Sequence, residues 1–326
     1  MAKILVTGGA GYIGSHACKA LAMAGYTPVA YDNLVYGHEW AVQWGPFEKG
    51  DILDPVRLSE VMATHRPAAV MHFAAFAYVG ESVADPAKYY RNNVTGTLTL
   101  LDAMRAHDVE QIVFSSSCAT YGVPETIPIS EDAPQQPINP YGATKLMVER
   151  ILADYGVAYG LKSVALRYFN AAGADSDGDV GEDHDPETHL IPLVLDAAAG
   201  SRPDITIFGS DYATPDGTCI RDYVHVSDIA EAHVLALKKL DSGELRAAYN
   251  LGTGAGISVA QMIAAAGKVT GRKIPVSRGA RRAGDPDTLL ADPVRARDEL
   301  EWRPRLSAID KMIETAWLWR MRNRNR

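Results

Sequence analysis

The stretch TGGAGYIG, residues 7–14, constrains the fold more than any other part of the chain. It follows the short apolar run KILV and leads into GYIGSHACKALAMAGY, which reads as a helix. Glycines 8, 11 and 14 therefore stand in a strand–turn–helix context. In that context Gly8 permits the tight turn, Gly11 lets backbone approach a phosphate, and Gly14 allows the helix to pack closely. The start of the helix offers oriented N–H groups to a pyrophosphate.

The pattern continues through the first half of the chain. TPVAYDN (27–33), AAVMHFAA (68–75), QIVFSSS (111–117) and SVALRYFN (163–170) are apolar runs with polar ends, separated by stretches of helical spacing. Continuous rather than alternating apolar strands, each followed by a helix, predict a parallel sheet covered on both faces. After Asn170 the pattern changes to an acidic, glycine-rich loop, AAGADSDGDVGEDHDPET. A helix is expected from about Leu190 to Gly200, short strands at DITIFG and YNLGTG, and a packed helix in LSAIDKMIETAWLWR. The fold class predicted is α/β: a Rossmann-type doubly wound parallel sheet with a smaller C-terminal α/β substrate domain. The first domain takes residues 1–170 with a return segment at about 218–245. The second takes 171–217 and 246–326.

Asp32 ends the second strand, 24 residues after Gly8. A carboxylate there accepts hydrogen bonds from ribose hydroxyls and repels a 2′-phosphate, so NAD is expected rather than NADP. Asp51, at another strand end, is a candidate for the adenine edge. The formal net charge of −8 argues against nucleic acid as the main partner. Cys18, Cys118 and Cys219 lie far apart and form neither a zinc-like cluster nor a disulfide framework. The start MAKILVTGG lacks the apolar length of a signal peptide, and no run of 18 apolar residues predicts a membrane span. A reducing, cytoplasmic location is the expectation. The nine histidines show no HExxH spacing and no tie to an acid or cysteine cluster, so no metal is expected.

NPYGATKLMVER (139–150) places Tyr141 and Lys145 on one helix face. A free tyrosine titrates near ~10, and a close ammonium favours its phenolate. Together they make a base usable near neutral pH. Lys145 is also placed to bond a nicotinamide ribose. FSSSCATYG sets Ser115, Ser116 and Ser117 at the carboxyl end of a parallel strand, the edge where ligands lie in such sheets. Ser117 is the serine expected to share a substrate oxygen with Tyr141. Ser115 and Ser116 have a capping role as their default.

Taken together, TGGAGYIGSH, the Asp32–Asn33 pair, SSSCATYG, PYGATK, RYFNAAGA and GTCIRDYVHV resemble the nucleotide-sugar epimerases of the extended short-chain dehydrogenase/reductase family. The similarity runs over nearly the whole chain. It implies interconversion of UDP-glucose and UDP-galactose through transient oxidation at C4 by bound NAD and a 4-keto sugar. Ser117, Tyr141 and Lys145 match the family's catalytic positions. The implied cofactor set comprises Gly8, Gly11, Tyr12, Ile13 and Gly14 in the first loop. It continues through Asp32, Asn33, Asp51, Ile52, Phe73, Ala74, Asn92 and Ser115, and ends with Tyr168 and Phe169 beside the nicotinamide. The implied substrate set adds Asn170, His189, Leu190, Arg221, Arg282 and Asp285. The arginines match diphosphate ligands, for which a guanidinium fork suits phosphate oxygens, and Asp285 matches the uridine ribose acid. His225 reads as a packed, hydrogen-bonded histidine.

The chain also departs from the family pattern. Ala77 stands where well-known members carry a lysine that helps hold the cofactor phosphates. His189 replaces an asparagine found in some members. Leu289 falls where a pocket residue varies between tyrosine and smaller side chains. AYVGES, CATYG and PINPYG also resemble enzymes acting on UDP-xylose and UDP-arabinose, and a hexose pocket can admit a pentose. A dehydratase is disfavoured because Ser117-Cys118-Ala119 offers no Asp–Glu pair. A simple oxidoreductase would release reduced cofactor, and a non-catalytic NAD-binding regulator would be expected to lack Tyr141. The resemblance implies a homodimer through helices flanking the active-site helix, with Met104, Met147 and Ile151 either on that surface or in the core.

Overall fold

A computed structural model describes residues 1–281 and 285–323. Seven parallel strands form the large sheet: β1 (Lys3–Thr7), β2 (Thr27–Asp32), β3 (Phe47–Lys49), β4 (Ala69–His72), β5 (Gln111–Ser117), β6 (Lys162–Tyr168) and β10 (Arg246–Leu251). Their order is β10-β6-β5-β4-β1-β2-β3. The order reverses at β1, which pairs with β2 on one side and β4 on the other. The crevice at the carboxyl ends of β1 and β4 is the switch point where such sheets bind ligands.

Helices cover both faces. α1 (Tyr12–Met23) and α8 (Val226–Asp241) pack on one, burying Val6, Leu21, Val164 and Leu237. α2 (Pro55–His65), α5 (Gly96–Ala106) and α6 (Pro140–Tyr159) close the other over Leu5, Val70, Phe114 and Leu152. Short α3 (Val79–Ala84) and α4 (Pro86–Tyr89) lie ahead of α5. The central strands carry continuous apolar runs, such as Ile4–Val6 and Ile112–Phe114, because both faces are covered. Local chemistry sets the helix ends. Asn139 accepts the Gly142 N–H at 2.8 Å, Pro140 opens α6, and Gly160, at φ 76°, ends it.

The remaining strands form smaller units. β7 (Asn170–Ala172), β9 (Ile220–His225), β11 (Gly256–Ser258) and β13 (Thr288–Leu289) make a four-stranded sheet. β8 (Ile205–Phe208) pairs with β12 (Val276–Gly279). α7 (Leu190–Ala199), α9 (Val259–Thr270) and α11 (Ile309–Arg322) build a separate core around Val194, Met262 and Ile313. α10 (Val294–Glu299) packs beside β10.

Two segments differ from the sequence division. Arg246–Leu251, assigned there to the second domain, is the edge strand of the large sheet and pairs with β6 along its full length. Conversely β9, inside the return segment, belongs to the small sheet, and only α8 after it packs on the large one. β9 runs directly into α8, with His225 ending the strand and Val226 opening the helix, so the chain passes here from the small sheet to the large one without a loop. Met104 is fully buried in the α5 core, whereas Met147 is 42% exposed on α6 and Ile151 is half-buried. Met104 therefore belongs to the interior.

Candidate active site

The glycine turn is built as its sequence predicts. Gly8 has φ 73°, and a Cβ there would sit 2.7 Å from the Ala74 nitrogen. At Gly14 a Cβ would lie 2.0 Å from the Gly8 carbonyl oxygen, so only glycine lets α1 start this close to β1. Gly11 is the N-cap of α1 and contributes no side-chain cap, which leaves first-turn N–H groups facing the switch-point crevice. Phe73 and Ala74 follow β4 and both donate backbone N–H bonds to the Thr7 carbonyl. They form the opposite wall of the turn. Tyr12 is turned inward, its hydroxyl bonded to the Gly173 carbonyl at 2.6 Å, and Ile13 packs on the core.

Asp32 ends β2 and is buried, with its oxygens accepting Ala10 N–H at 3.1 Å and Leu34 N–H at 2.8 Å. Burial raises its pKa, opposed by those two bonds and by His38. Each oxygen keeps acceptor capacity for a ribose hydroxyl. Asn33 donates to Asp51 at 2.9 Å, which joins the two strand-end polar groups. Ile52 is buried against Gly96. Asn92 is buried and donates to Asn93, which is itself bonded to the Phe76 backbone and to Thr144. Asp32 and Asp51 stand on the carboxyl edge of the sheet, at or just beyond the ends of β2 and β3.

Tyr141, Lys145 and Ser117 come together at the centre of that edge. Ser117 closes β5, and Tyr141 and Lys145 project from the first turns of α6, which packs against β5. The Lys145 ammonium nitrogen lies 5.8 Å from the Tyr141 ring centre and donates to the Ser115 carbonyl at 2.7 Å. Burial pulls the Lys145 pKa down to about 7, with Glu149 pulling the other way. Burial pushes the Tyr141 phenol up to about 12, opposed by its hydrogen bond with Ser117. Both shifts favour the neutral forms, so the phenolate–ammonium pair able to take a proton from a bound alcohol is a minor species. Ser115 is bonded to the Tyr168 hydroxyl, and burial raises the Tyr168 pKa. Phe169 packs with Tyr121, Ile129 and Ala291.

Sequence reasoning overlooked the support beneath this centre. Glu149, one turn beyond Lys145, forms a buried ion pair with Arg167, with Nε–Oε1 at 2.9 Å and Nη2–Oε2 at 2.5 Å. Ser116 donates to the same carboxylate at 2.5 Å. This pair ties α6 to β5 and β6. The available signal was a Glu at i+4 from Lys145 beside an Arg inside an apolar strand.

The second lobe departs further from expectation. Asn170 opens β7, and Leu190 opens α7. Arg221 and Asp285, expected at different parts of a nucleotide, are ion-paired with each other, because β9 brings the guanidinium under the 285 segment. Arg282 lies outside the described residues. Leu289 is in β13, in register with Arg221. His189 is the N-cap of α7, but its ring caps nothing: Nδ1 is bonded to Glu182 and lies 3.8 Å from Glu187. His184 joins the same group, 3.3 Å from Glu182 and 3.7 Å from Glu187. Two histidines are thus tied to an acid cluster, contrary to the sequence reading, because the 182–189 loop folds back on itself rather than running as a helix. The glutamates push His184 up to about 10 and raise His189 against the effect of burial, while Glu182 is drawn down to about 2 by the histidines despite its own burial. Ala77 is exposed ahead of α3. His225 is fully buried, bonded to Thr315 at 3.0 Å, with burial lowering its pKa to about 4.

Among the described residues, no helix is long and apolar enough to cross a membrane. A family model, the NAD dependent epimerase/dehydratase family, matches residues 4–252. A UDP-glucose 4-epimerase of Rhizobium leguminosarum bv. trifolii is 54% identical over 316 residues, covering 97% of this chain and 96% of that one. The crystal structure of UDP-glucose 4-epimerase from Brucella ovis in complex with NAD is 58% identical, with a TM-score of 0.96 and 98% of each chain covered. That of UDP-glucose 4-epimerase from Stenotrophomonas maltophila, with bound NAD and formylated UDP-arabinopyranose, is 40% identical at a TM-score of 0.96 over 100% of each chain. The chain belongs to the NAD dependent epimerase/dehydratase family.

Proposed function

We propose that the chain interconverts UDP-galactose and UDP-glucose through NAD-dependent oxidation at C4 and a 4-keto sugar. The observation that carries the reading is the placing of Tyr141, Lys145 and Ser117 beside the glycine turn. Relatives more than half identical over almost the whole chain bear the UDP-glucose 4-epimerase name. NAD, when bound, takes the C4 hydride and gives it back. Tyr141 removes the C4 hydroxyl proton during oxidation and returns it during reduction. Ser117 bonds the same oxygen and keeps it in line with the phenol. Lys145 holds the positive charge that makes a phenolate accessible, and its bond to the Ser115 carbonyl fixes its position. The first-turn N–H groups after Gly11 bind pyrophosphate, and Asp32 binds the adenosine ribose. The keto sugar must turn within the pocket so that hydride returns to its opposite face, which leaves no net redox change. Arg221 binds the UDP diphosphate once substrate competes for its fork with Asp285.

The same pocket turns over UDP-xylose and UDP-arabinose at a lower rate. A pentose lacks the C6 hydroxymethyl, so a hexose pocket admits it without steric cost, and a relative of the same fold was solved with a formylated UDP-arabinopyranose. The protein works as a homodimer, with the exposed apolar side chains of α6, Met147 among them, at the contact. The deciding experiment is product formation from UDP-galactose and from UDP-xylose, resolved by chromatography with and without added NAD. UDP-glucose without accumulating NADH is expected. NAD binding with no product from either sugar would refute the reading.

A further inference from the structure

The loop between β7 and α7 carries two clusters of metal-ligating side chains, and they differ in one respect. In the first, Asp175, Asp177 and Asp179 surround the Lys19 ammonium at 2.8, 2.7 and 2.8 Å, so the chain supplies its own cation. In the second, Glu182, His184, Glu187 and His189 converge, and among the described residues no lysine or arginine pairs with either glutamate. Each of the four offers one ligand atom, and those atoms all lie within 4.8 Å of one another. Both histidines face the glutamates through Nδ1.

We propose that Glu182, His184, Glu187 and His189 form a binding site for one divalent transition-metal ion of the zinc type. Tetrahedral zinc takes N and O ligands at about 2.0–2.2 Å, which separates neighbouring ligand atoms by roughly 3.3 Å. The His184–Glu182 separation is 3.3 Å, and His184–Glu187 and His189–Glu187 are 3.7 and 3.8 Å. The direct His189–Glu182 hydrogen bond has to open for an ion to enter between them. Two carboxylates and two neutral imidazoles around a dication sum to zero charge, which suits a partly buried position. Imidazole donors select zinc, copper, nickel or iron over magnesium and calcium.

The surroundings hold the donors in place. Glu187 accepts the backbone N–H groups of Thr188 and His189 at 2.7 and 2.8 Å, and the Glu182 carbonyl accepts the Trp319 indole N–H at 3.1 Å. The rings of Tyr12 and Tyr78 stand edge-on to His184 at 6.1 and 6.3 Å. His189 is half exposed, which gives an ion a way in from solvent. An ion held here would pin the loop against the N-terminus of α1 and the start of α7. The inference does not depend on which sugar the enzyme uses.

The test uses the full-length chain, stripped with a chelator and dialysed into metal-free buffer. Zn²⁺ is titrated by calorimetry and Co²⁺ by visible absorption, in the parent, Glu187→Gln and His184→Gln, each checked for folding by circular dichroism. The expected result is one ion per chain, a tetrahedral Co²⁺ spectrum in the parent, and affinity weakened at least tenfold in Glu187→Gln. His184→Gln, if folded, behaves alike. No saturable binding in the parent, or affinity unchanged in folded Glu187→Gln, overturns the proposal.

Discussion

Replacing Lys145 by methionine separates two roles that a simple loss of activity would merge. The side chain is buried, and methionine fills nearly the same volume, so the fold should survive. What disappears is a charge 5.8 Å from the Tyr141 ring centre. At an effective dielectric of about 20, a unit charge at that distance is worth about 3 kcal/mol to a phenolate, or roughly two pH units in its titration. The structure sets the starting point. Tyr141 is held at about 12 and Lys145 at about 7, so moving the phenol proton onto the amine is uphill by about five pH units before attraction between the products is counted. Attraction returns roughly two of them. The reactive phenolate–ammonium pair is therefore present in on the order of one molecule in a thousand.

That pair carries the same number of protons as the neutral pair that dominates above pH 7. The parent rate should thus be nearly flat with pH from about 7.5 to 10. In Lys145→Met the phenol must lose its proton to solvent. The variant should be about tenfold slower near pH 8, and its rate should climb about tenfold per pH unit to meet the parent's near pH 9. The assay is initial UDP-galactose conversion at saturating substrate and NAD, from pH 7 to 10. A variant within threefold of the parent at pH 7.5, or one equally slow at every pH, would refute the reasoning. The second outcome would make Lys145 a positioning group for ribose alone.

Tyr141→Phe should lower kcat by ~10²–10⁴ with substrate affinity preserved, measured by turnover and by UDP calorimetry. Gly8→Ala should cost at least ~1–2 kcal/mol from its positive φ, with the contact on Ala74 adding to that, and should weaken NAD binding, followed by denaturant unfolding and cofactor titration. Asp32→Asn should weaken NAD binding about tenfold and narrow the preference over NADP, read from the two dissociation constants. Arg167→Met leaves the Glu149 carboxylate buried and unpaired, for an expected loss of ~3–5 kcal/mol in urea unfolding.

How far the molecule could be read beforehand follows from the range of the forces involved. The positive φ of Gly8, and Gly14, Asn139 and Gly160, act within a few residues, so their effects are written locally, and the turn and α6 appear where the sequence puts them. Period and composition likewise expose the apolar strands of the large sheet. Partners distant in sequence leave no such trace. Arg246–Leu251 is an ordinary short strand until β6 is known to have a free edge. Nothing near Arg221 announces Asp285, 64 residues away. The same holds for the Glu182–His189 loop, whose spacing fits no helix or strand template and whose ligand atoms meet only after the loop folds.

This difference bears on how the candidate site is held. Ser117, Tyr141 and Lys145 are each set by a local device: a strand end, a helix start and one turn of helix. Their mutual distances, however, depend on how α6 docks on β5 and β6, and that docking rests on a long-range polar contact. Arg167 spans from Glu149 to the Tyr121 hydroxyl at 2.9 Å and the Glu131 carbonyl at 3.1 Å. Tyr121 bonds Asn250 in β10 in turn, at 2.7 Å. The network runs from the reactive helix, across β6, to the edge strand. A buried charge pair adds little stability compared with an apolar replacement of equal shape, but removing either partner is costly. Its value here is positional: a shift of α6 along β5 breaks several charge-assisted bonds at once, whereas apolar packing tolerates small slides. An Arg167–Glu149 pair replaced together by methionine and leucine should therefore recover much of the stability lost in Arg167→Met while leaving turnover depressed. Full recovery of kcat with recovered stability would show that packing alone fixes the distance between Tyr141 and Ser117.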